Sequence, residues 1–175
     1  YLSKSIIPSR TANSIHVMKM CQAFSDNGHE VILITPDQKN QYEKDVKNVF
    51  EYYDVKKNFI IKKLYHPNFI GGAFFYTLAI FVYLFFNKKS DLIYGRFLHG
   101  CYIATILKNE VIFETHEIID RKIKNRFICF KKLIQSKYFK KLIVISDGLK
   151  NLYLKKSYLN SDKIQVAHDG ADEVK

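Results

Sequence analysis

The feature that most limits the possible folds of this sequence is a series of short apolar runs separated by longer, helix-like segments. The runs at residues 30–35, 111–115 and 142–145 are continuous, which is typical of strands covered on both faces. Residues 59–64, 91–94 and 164–167 are three further strand predictions. Because strands and helices alternate, we expect an α/β fold with a doubly wound, mostly parallel, Rossmann-like sheet and right-handed crossovers.

The segment at residues 6–20 reads as a strand end, a loop and the start of a helix. Pro8 and Ser9 stop the extended segment, and Asn13 or Ser14 is predicted to cap the helix. Gly28 then supplies its C-terminal cap. A helix N-terminus presents unpaired N–H groups, so this loop could receive an anion. An ordinary strand-to-helix turn is the alternative.

Five more helices are expected after this segment. We predict a weak helix near residues 42–50, then helices at 97–107 and 120–138, and one that begins at Ser146 and Asp147. An aromatic helix precedes the strand at 91–94. Pro36 and Asp37 are expected to end the second strand.

Composition places the chain among globular proteins of one domain. The 175 residues are 47% hydrophobic and 26% charged, and the net charge is +11. The positive charge favours anionic partners and does not determine the fold. Three scattered cysteines without a Cys-x-x-Cys pair favour reduced thiols in a cytosol.

Residues 69–86 form an uncharged run at the lower edge of transmembrane length. Gly71 and Gly72 interrupt its start and leave an apolar stretch at residues 73–86. A stretch of this length is more typical of a buried or interfacial helix than of a membrane span.

Residues 121–141 contain nine basic residues and no acidic residue. Ile123, Phe127, Phe130 and Ile134 recur at helical spacing, which predicts one apolar stripe on a positive helix. The positive surface is either simply solvated or attracted to an anionic membrane or to nucleic acid.

Candidate site residues follow the predicted strands, because parallel α/β sheets bind ligands at the carboxyl ends of their strands. Arg96 offers a planar fork for a phosphate or carboxylate, and His116 lies where a buried strand reaches solvent. The fingerprints of dinucleotide binding, of the phosphate loop and of the nucleophile elbow are all missing from the sequence. The scattered histidines give no metal prediction.

Several motifs occur in the order found in one known family. They are Ile-Pro-Ser-x-Thr-Ala-Asn-Ser-Ile-His-Val at the start, Gly-His-Glu-Val, Tyr-Gly-Arg, Phe-Glu-Thr-His, Val-Ile-Ser-Asp-Gly-Leu-Lys and His-Asp-Gly-Ala-Asp. Together they resemble the N-terminal, acceptor-side half of family-4 glycosyltransferases with the GT-B fold. The resemblance implies a glycosyltransferase domain at residues 1–168 and, at 169–175, the start of a hinge to a missing C-terminal nucleotide-sugar domain.

The resemblance also implies roles for individual residues. His116 matches a histidine that contacts the donor sugar and is the catalytic candidate. Thr11, Ala12, Asn13 and Ser14 occupy the place of a glycine-rich loop that approaches the donor phosphates. Arg96 and Arg121 lie where acceptor contacts are found. The family transfers sugars with retention, without a metal and without a cofactor other than the nucleotide-sugar substrate.

We therefore expect the full-length protein to be a hexosyl-type transferase of polysaccharide or glycolipid synthesis, and this piece alone to be inactive. Its partners would be a nucleotide-sugar donor and a glycan or lipid-linked acceptor. The protein itself would be cytoplasmic and would bind peripherally at the inner membrane face. One alternative is a non-catalytic Rossmann-like module whose basic face binds nucleic acid or anionic membrane. Another is a small nucleotide-binding enzyme that is complete in itself.

Overall fold

The structure, a computed structural model, describes residues 1–40, 43–156 and 158–168. The chain divides into two compact units, Tyr1–Lys88 and Lys89–Lys175. Every pair of adjacent strands in both units is parallel, and helices alternate with the strands. The predicted α/β fold with parallel strands is therefore confirmed. The predicted hinge at residues 169–175 lies outside the described residues.

The described residues of the first unit form three α-helices and two strands. In chain order these are α1 (Ala12–Asp26), β1 (Ile32–Asp37), α2 (Val49–Tyr52), β2 (Ile60–Tyr65) and α3 (Gly72–Phe86). Strand β1 pairs with β2 in a register that sets Ile32 opposite Ile60. Leu2 bridges Ile34 on the other side of β1, which places the start of the chain beside that strand as a third, parallel segment.

The core of the first unit is formed between the inner face of α1, the strand β1 and the segment around α2. Its members are all buried: Ile7, Val17, Met18, Cys21, Val31, Leu33, Tyr53 and Phe59. Val17, Met18 and Cys21 share one face of α1 because they are spaced one, three and four residues apart. The amphipathic pattern of this helix therefore fixes its orientation against the sheet.

The second unit is a four-stranded sheet with its helices between consecutive strands. In chain order it contains β3 (Ile93–Gly95), α4 (Leu98–Ile106), β4 (Val111–Thr115), α5 (Lys124–Gln135), β5 (Phe139–Val144), α6 (Asp147–Lys155) and β6 (Ile164–Val166). The strand order is β3-β4-β5-β6. Aromatic rings fill part of its core, with Phe130 centred 6.4 Å from Phe113 and 5.6 Å from Tyr153.

The start of α1 differs from the prediction. Thr11 is the N-cap, and its side chain accepts a hydrogen bond from the Ser14 amide. Neither Asn13 nor Ser14 caps the helix, because their side chains already bond elsewhere: Asn13 to the Ser5 hydroxyl and Ser14 to the carbonyls of Ser9 and Thr11. At the other end the prediction holds, with Gly28 at φ +87° just after the last turn.

Two strand and helix boundaries were also predicted wrongly in this unit. Strand β1 runs through Pro36, which lies opposite Leu64, because a missing N–H near a strand end costs only one bond of the ladder. The weak helix expected near residues 42–50 is a single turn, Val49–Tyr52, which the Asn48 side chain caps.

The basic helix α5 is shorter than predicted at both ends. The Asp120 carboxylate accepts from the Lys122 amide at 2.9 Å, and the Ser136 hydroxyl accepts from the Tyr138 amide at 3.3 Å. Such local side-chain bonds compete with helix formation. The apolar stripe also differs, because the buried residues of the helix are Cys129, Phe130 and Leu133, whereas Ile123 is exposed.

The aromatic segment forms helix α3 after Gly71, which has φ +99°. Only Gly72, Tyr76 and Ile80 of this helix are buried. None of the helices in the described part of the chain is both long enough and apolar enough to span a bilayer.

Candidate functional site

The carboxyl ends of β3 and β4 bring the first group of candidate residues together. The two strands are paired so that Gly95 lies opposite Phe113. Arg96 therefore leaves β3 at the same edge of the sheet where Glu114, Thr115 and His116 end β4. This is the edge at which parallel α/β sheets bind their ligands.

A buried carboxylate is the centre of this group. Glu114 has only 3% of its side chain exposed, and its oxygens face three partners of different chemistry. The Tyr94 hydroxyl donates to Oε2 at 2.8 Å, His116 Nε2 lies 2.8 Å from Oε1, and Arg96 Nε lies 3.5 Å from the same oxygen. Because an unpaired buried charge is costly, these partners are what allow a carboxylate at this position.

His116 Nε2 has two competing partners. Besides Glu114, the nitrogen lies 2.5 Å from Arg96 Nη2. A single ring nitrogen either donates to the carboxylate or accepts from the guanidinium, so the two contacts belong to different protonation arrangements of the ring. The imidazole is thus held between a fixed positive and a fixed negative group. Its ring is about one-third exposed, with a side-chain accessibility of 30%.

Burial also affects the Tyr94 hydroxyl and the Arg96 guanidinium of this group. Burial, together with the charge of Glu114 and the bond to it, raises the pKa of the Tyr94 hydroxyl, so Tyr94 stays a neutral donor to Glu114. Arg96 Nη1 is enclosed and makes no hydrogen bond with any residue that the structure describes. Since a guanidinium nitrogen is only a donor, this buried atom has a hydrogen bond left to make.

A buried tyrosine fixes the loop that follows His116. The Tyr153 hydroxyl of α6 accepts from the Ile119 amide and donates to the Glu117 carbonyl, both at 3.0 Å. The Glu117 carboxylate in turn pairs with Arg126 of α5 at 2.6 Å. The loop therefore has a defined path between β4 and α5.

Arg121 lies further along this loop and not in the Glu114 group. It lines an open cavity of about 350 Å³ with Asp120, Lys122, Lys156 and Tyr158. Arg96 and His116 are not among the described residues that line this cavity. Three cations and one carboxylate give the cavity a positive balance, which suits an anionic ligand group.

In the first unit, Thr11, Ala12, Asn13 and Ser14 form the first turn of α1. Helix geometry leaves the amides of Ala12 and Asn13 without a partner inside the helix, while the Ser14 side chain is buried and points to carbonyls. A second buried tyrosine fixes the preceding loop, because the Tyr53 hydroxyl accepts from the Ser9 amide at 2.6 Å and donates to the Ser9 carbonyl at 2.8 Å.

The sequence analysis missed Glu114, Tyr94 and the two loop-fixing tyrosines. A signal for Glu114 was present, because a carboxylate inside a buried apolar strand needs partners. The tyrosines gave no comparable signal, since the residues that they contact lie 34 and 44 positions away in the sequence.

Comparison with known proteins shows the family of the chain and structures of similar fold. The family model described as Glycosyltransferase Family 4 matches residues 14–175. No curated protein sequence matches the chain. The structure is similar to crystal structures of Anabaena HepE in complex with UDP-glucose and with UDP and glucose, each with a TM-score of 0.65, at 10% and 9% sequence identity. A third structure, of HepE with UDP, has a TM-score of 0.64 at 10% identity.

These structural matches extend over 98% of this chain but only 44%, 44% and 43% of the HepE chains. The chain thus spans less than half the length of these structural relatives. At such low identity the likeness concerns the fold, whereas the family model concerns the sequence itself. Because that model matches almost the whole chain, the protein belongs to Glycosyltransferase Family 4.

Proposed function

We propose that the full-length protein is a retaining glycosyltransferase of the hexosyl type and that this chain is its acceptor-binding half. The observation that carries the proposal is the group formed by Arg96, Glu114 and His116 at the ligand-binding edge of a parallel sheet. Family membership gives this group its chemical context. The nucleotide-binding half would then lie outside the chain.

For the donor we propose a nucleoside-diphosphate sugar, with UDP-hexoses as the first candidates because HepE structures contain UDP and UDP-glucose. Negative charge grows on the leaving phosphate as the sugar is transferred. The amides of Ala12 and Asn13 at the start of α1 would stabilise that charge without having to reorganise. Thr11 and Ser14 would act by shaping this turn, through the cap and the buried hydroxyl.

His116 is proposed to hold a hydroxyl of the donor sugar near the reacting carbon. Such a contact accelerates transfer when it is stronger in the transition state than in the ground state. Glu114 and Arg96 would fix the orientation of the ring, and Arg96 Nη1 would donate to an oxygen of the acceptor. Arg121, in its cationic cavity, would bind an anionic part of the acceptor.

The acceptor is proposed to be a glycan or a lipid-linked glycan, and the protein to act in the cytoplasm at the inner membrane face, in polysaccharide or glycolipid synthesis. The net charge of +11 supports attraction to anionic lipid. We expect neither a metal nor a cofactor besides the donor to be needed.

The proposal is tested by incubating the full-length protein with a panel of nucleotide-sugars and measuring release of the nucleoside diphosphate. Selective turnover of one donor, with the α-anomeric configuration retained in the product of an α-linked donor, is the expected result. Failure to consume any donor, together with binding of nucleic acid by the same preparation, would instead favour a non-catalytic binding module.

A further inference from the structure

Helix α3 exposes more apolar surface than a helix of a globular domain normally does. Phe74, Phe85 and Phe86 are 68%, 61% and 78% exposed, and Ile70 just before the helix is fully exposed. Leu78 and Val82, between them on the helix, are also exposed. A helix that is apolar on all sides is normally buried, so this surface calls for an apolar environment other than the core of its own unit.

One narrow face of α3 packs closely against the first unit. The exposed apolar residues therefore belong to a helix that is well packed on its other side. Tyr76 is fully buried and donates to the Ser3 carbonyl at 2.6 Å, and Ile80, one turn later, is also fully buried. Gly72, one turn earlier, lies so close to the preceding loop that a Cβ would come within 2.3 Å of the Pro67 carbonyl oxygen. These three residues face the unit and the aromatic side chains face away.

The exposed aromatic rings contact one another along the helix. Phe74 and Phe75 are centred 5.6 Å apart, Phe85 and Phe86 5.0 Å apart, and Phe81 stacks on Phe85 at 5.9 Å. The rings thus form two groups along the helix, which we together call the α3 ridge: Phe74, Phe75, Phe81, Phe85 and Phe86. A ridge of this kind presents apolar area at little cost in side-chain entropy.

The charged residues around α3 in the sequence are all positive. From Ile60 to Ser90 the sequence contains no acidic residue, and its lysines flank the helix on both sides: Lys62, Lys63, Lys88 and Lys89. Lys62 and Lys63 belong to β2, against which α3 packs, and Lys88 and Lys89 follow the end of the helix. All four are exposed. Apolar rings bordered by lysines match the acyl and headgroup layers of an anionic bilayer.

Length decides how the helix could meet a bilayer. Its 15 residues correspond to about 22 Å, which is shorter than the hydrocarbon core of about 30 Å. The helix would therefore lie in the interface and not cross it. A second copy of the chain fits less well, because a symmetric contact through the same ridge would bring the lysines of both copies together.

We propose that the α3 ridge inserts into the headgroup and acyl boundary of an anionic membrane and that lysines next to α3, foremost Lys88 and Lys89, contact its lipid headgroups. This deepens the proposed function, since it rests on the peripheral membrane location proposed there and assigns it to α3 and the lysines next to it in the sequence. The basic helix α5 fits insertion less well, because its residues Cys129, Phe130 and Leu133 are buried and its exposed large apolar side chain is Ile128 alone, with Ile123 just before the helix.

The absence of tryptophan from the chain makes a direct test possible. A Phe85→Trp variant carries a single tryptophan reporter on the α3 ridge, and Leu152→Trp places one on an exposed position of α6. Vesicles of phosphatidylglycerol and phosphatidylcholine in equal amounts should shift the Phe85→Trp emission to shorter wavelength, and brominated acyl chains should quench it. The Leu152→Trp emission should stay unchanged. An unshifted, unquenched Phe85→Trp reporter would overturn the proposal.

Vesicle binding by variants without a tryptophan reporter separates the contribution of the aromatic rings from that of the lysines. Phe74→Ser and Phe85→Ser should each weaken binding to these vesicles about tenfold, because each removes an inserted aromatic side chain. Lys88→Glu with Lys89→Glu should weaken it at least tenfold and remove the preference for anionic over neutral vesicles. The matched controls are Leu152→Ser and the α5 pair Lys131→Glu with Lys132→Glu, which should change binding less than threefold.

Three results would contradict the proposal. One is equal binding to anionic and neutral vesicles, and another is a loss of binding confined to the α5 pair. The third is self-association that Phe85→Ser abolishes in a chain that binds no vesicles, which would identify a second copy as the occupant. None of these assays measures sugar transfer. A negative result would therefore contradict membrane insertion of α3 without contradicting the proposed transferase activity, which the nucleotide-sugar assay tests separately.

Discussion

Replacement of Tyr153 by phenylalanine is a sensitive test of how the loop after His116 is held. The side chain is fully buried in the second unit, and its hydroxyl contacts the Ile119 amide, the Glu117 carbonyl and the Thr115 side chain. The variant removes one oxygen atom and leaves the ring. Packing of the ring against Phe130 is therefore retained while the loop loses its anchor.

The Glu117 carbonyl and the Ile119 amide both lose their hydrogen bond to Tyr153, but only one of them is left without a partner. The Glu117 carbonyl keeps a second donor, the Thr115 hydroxyl at 3.0 Å. The Ile119 amide loses the Tyr153 hydroxyl, and Ile119 itself is only 1% exposed. A buried N–H without an acceptor costs about 1–3 kcal/mol, so we expect the free energy of unfolding to fall by about 2 kcal/mol.

Urea unfolding monitored by circular dichroism measures this difference, and amide hydrogen exchange locates it. Exchange of the Ile119 amide should accelerate about 30-fold in Tyr153→Phe, the equivalent of about 2 kcal/mol. Tyr158→Phe is the matched control, because its ring contacts Tyr153 in the same cluster and the described part of the chain offers its hydroxyl no hydrogen bond. If Tyr153→Phe costs less than about 0.5 kcal/mol and Ile119 exchange is unchanged, the loop is not held in this way.

The same residue predicts a pH dependence with a defined sign. Burial raises the pKa of Tyr153 from 10.0 to about 12. Above pH 10 the phenol of the unfolded chain ionises while the buried one does not, so this contribution to stability is present below pH 10 and is lost as the pH rises to about 12. The stability difference between wild type and Tyr153→Phe should therefore narrow above pH 10, by up to about 1.4 kcal/mol per pH unit.

Three further predictions concern packing, charge and thiols. Gly72→Ala should destabilise the protein by about 2 kcal/mol or more in urea unfolding, because the new methyl group would meet the Pro67 carbonyl. Gly148→Ala in α6 should instead stabilise by up to about 1 kcal/mol, because its methyl group would only make an ordinary contact with the Ser146 hydroxyl at 3.9 Å. Glu114→Gln should cost about 3 kcal/mol in the same assay, because it leaves the Arg96 guanidinium without its counter-charge. Burial raises the pKa of all three cysteine thiols, so iodoacetamide should label them at pH 8 only after unfolding, as mass spectrometry would show.

Much of the fold was predictable because strand burial leaves a direct pattern in the sequence. The continuous apolar runs gave β4 and β5, and Gly28 gave the end of α1. Boundaries failed where a side chain bonds to nearby backbone, as Asp120 and Ser136 do on either side of α5. Such bonds shift an element by several residues without altering its apolar pattern.

The candidate site was predictable only in part. Strand ends placed Arg96 and His116 at one edge of the sheet, since parallel strands share the edge at which they end. Glu114 contacts both of them, and this was not predicted because two of its partners, Tyr94 and Arg96, come from β3 and the bend after it. The ridge on α3 was ambiguous between burial and an interface, because composition does not reveal which side of an apolar helix is covered.

The central claim is that His116 acts in sugar transfer, and the most direct test is the initial rate of transfer by full-length His116→Ala with the donor identified for the wild type. We predict a fall on the order of a hundredfold in kcat/KM with urea unfolding changed by less than about 1 kcal/mol, because the ring is partly exposed and would contact the sugar in the transition state. His29→Ala, at an exposed histidine of the first unit, should keep the wild-type rate. A His116→Ala enzyme that transfers sugar as fast as wild type would contradict the account.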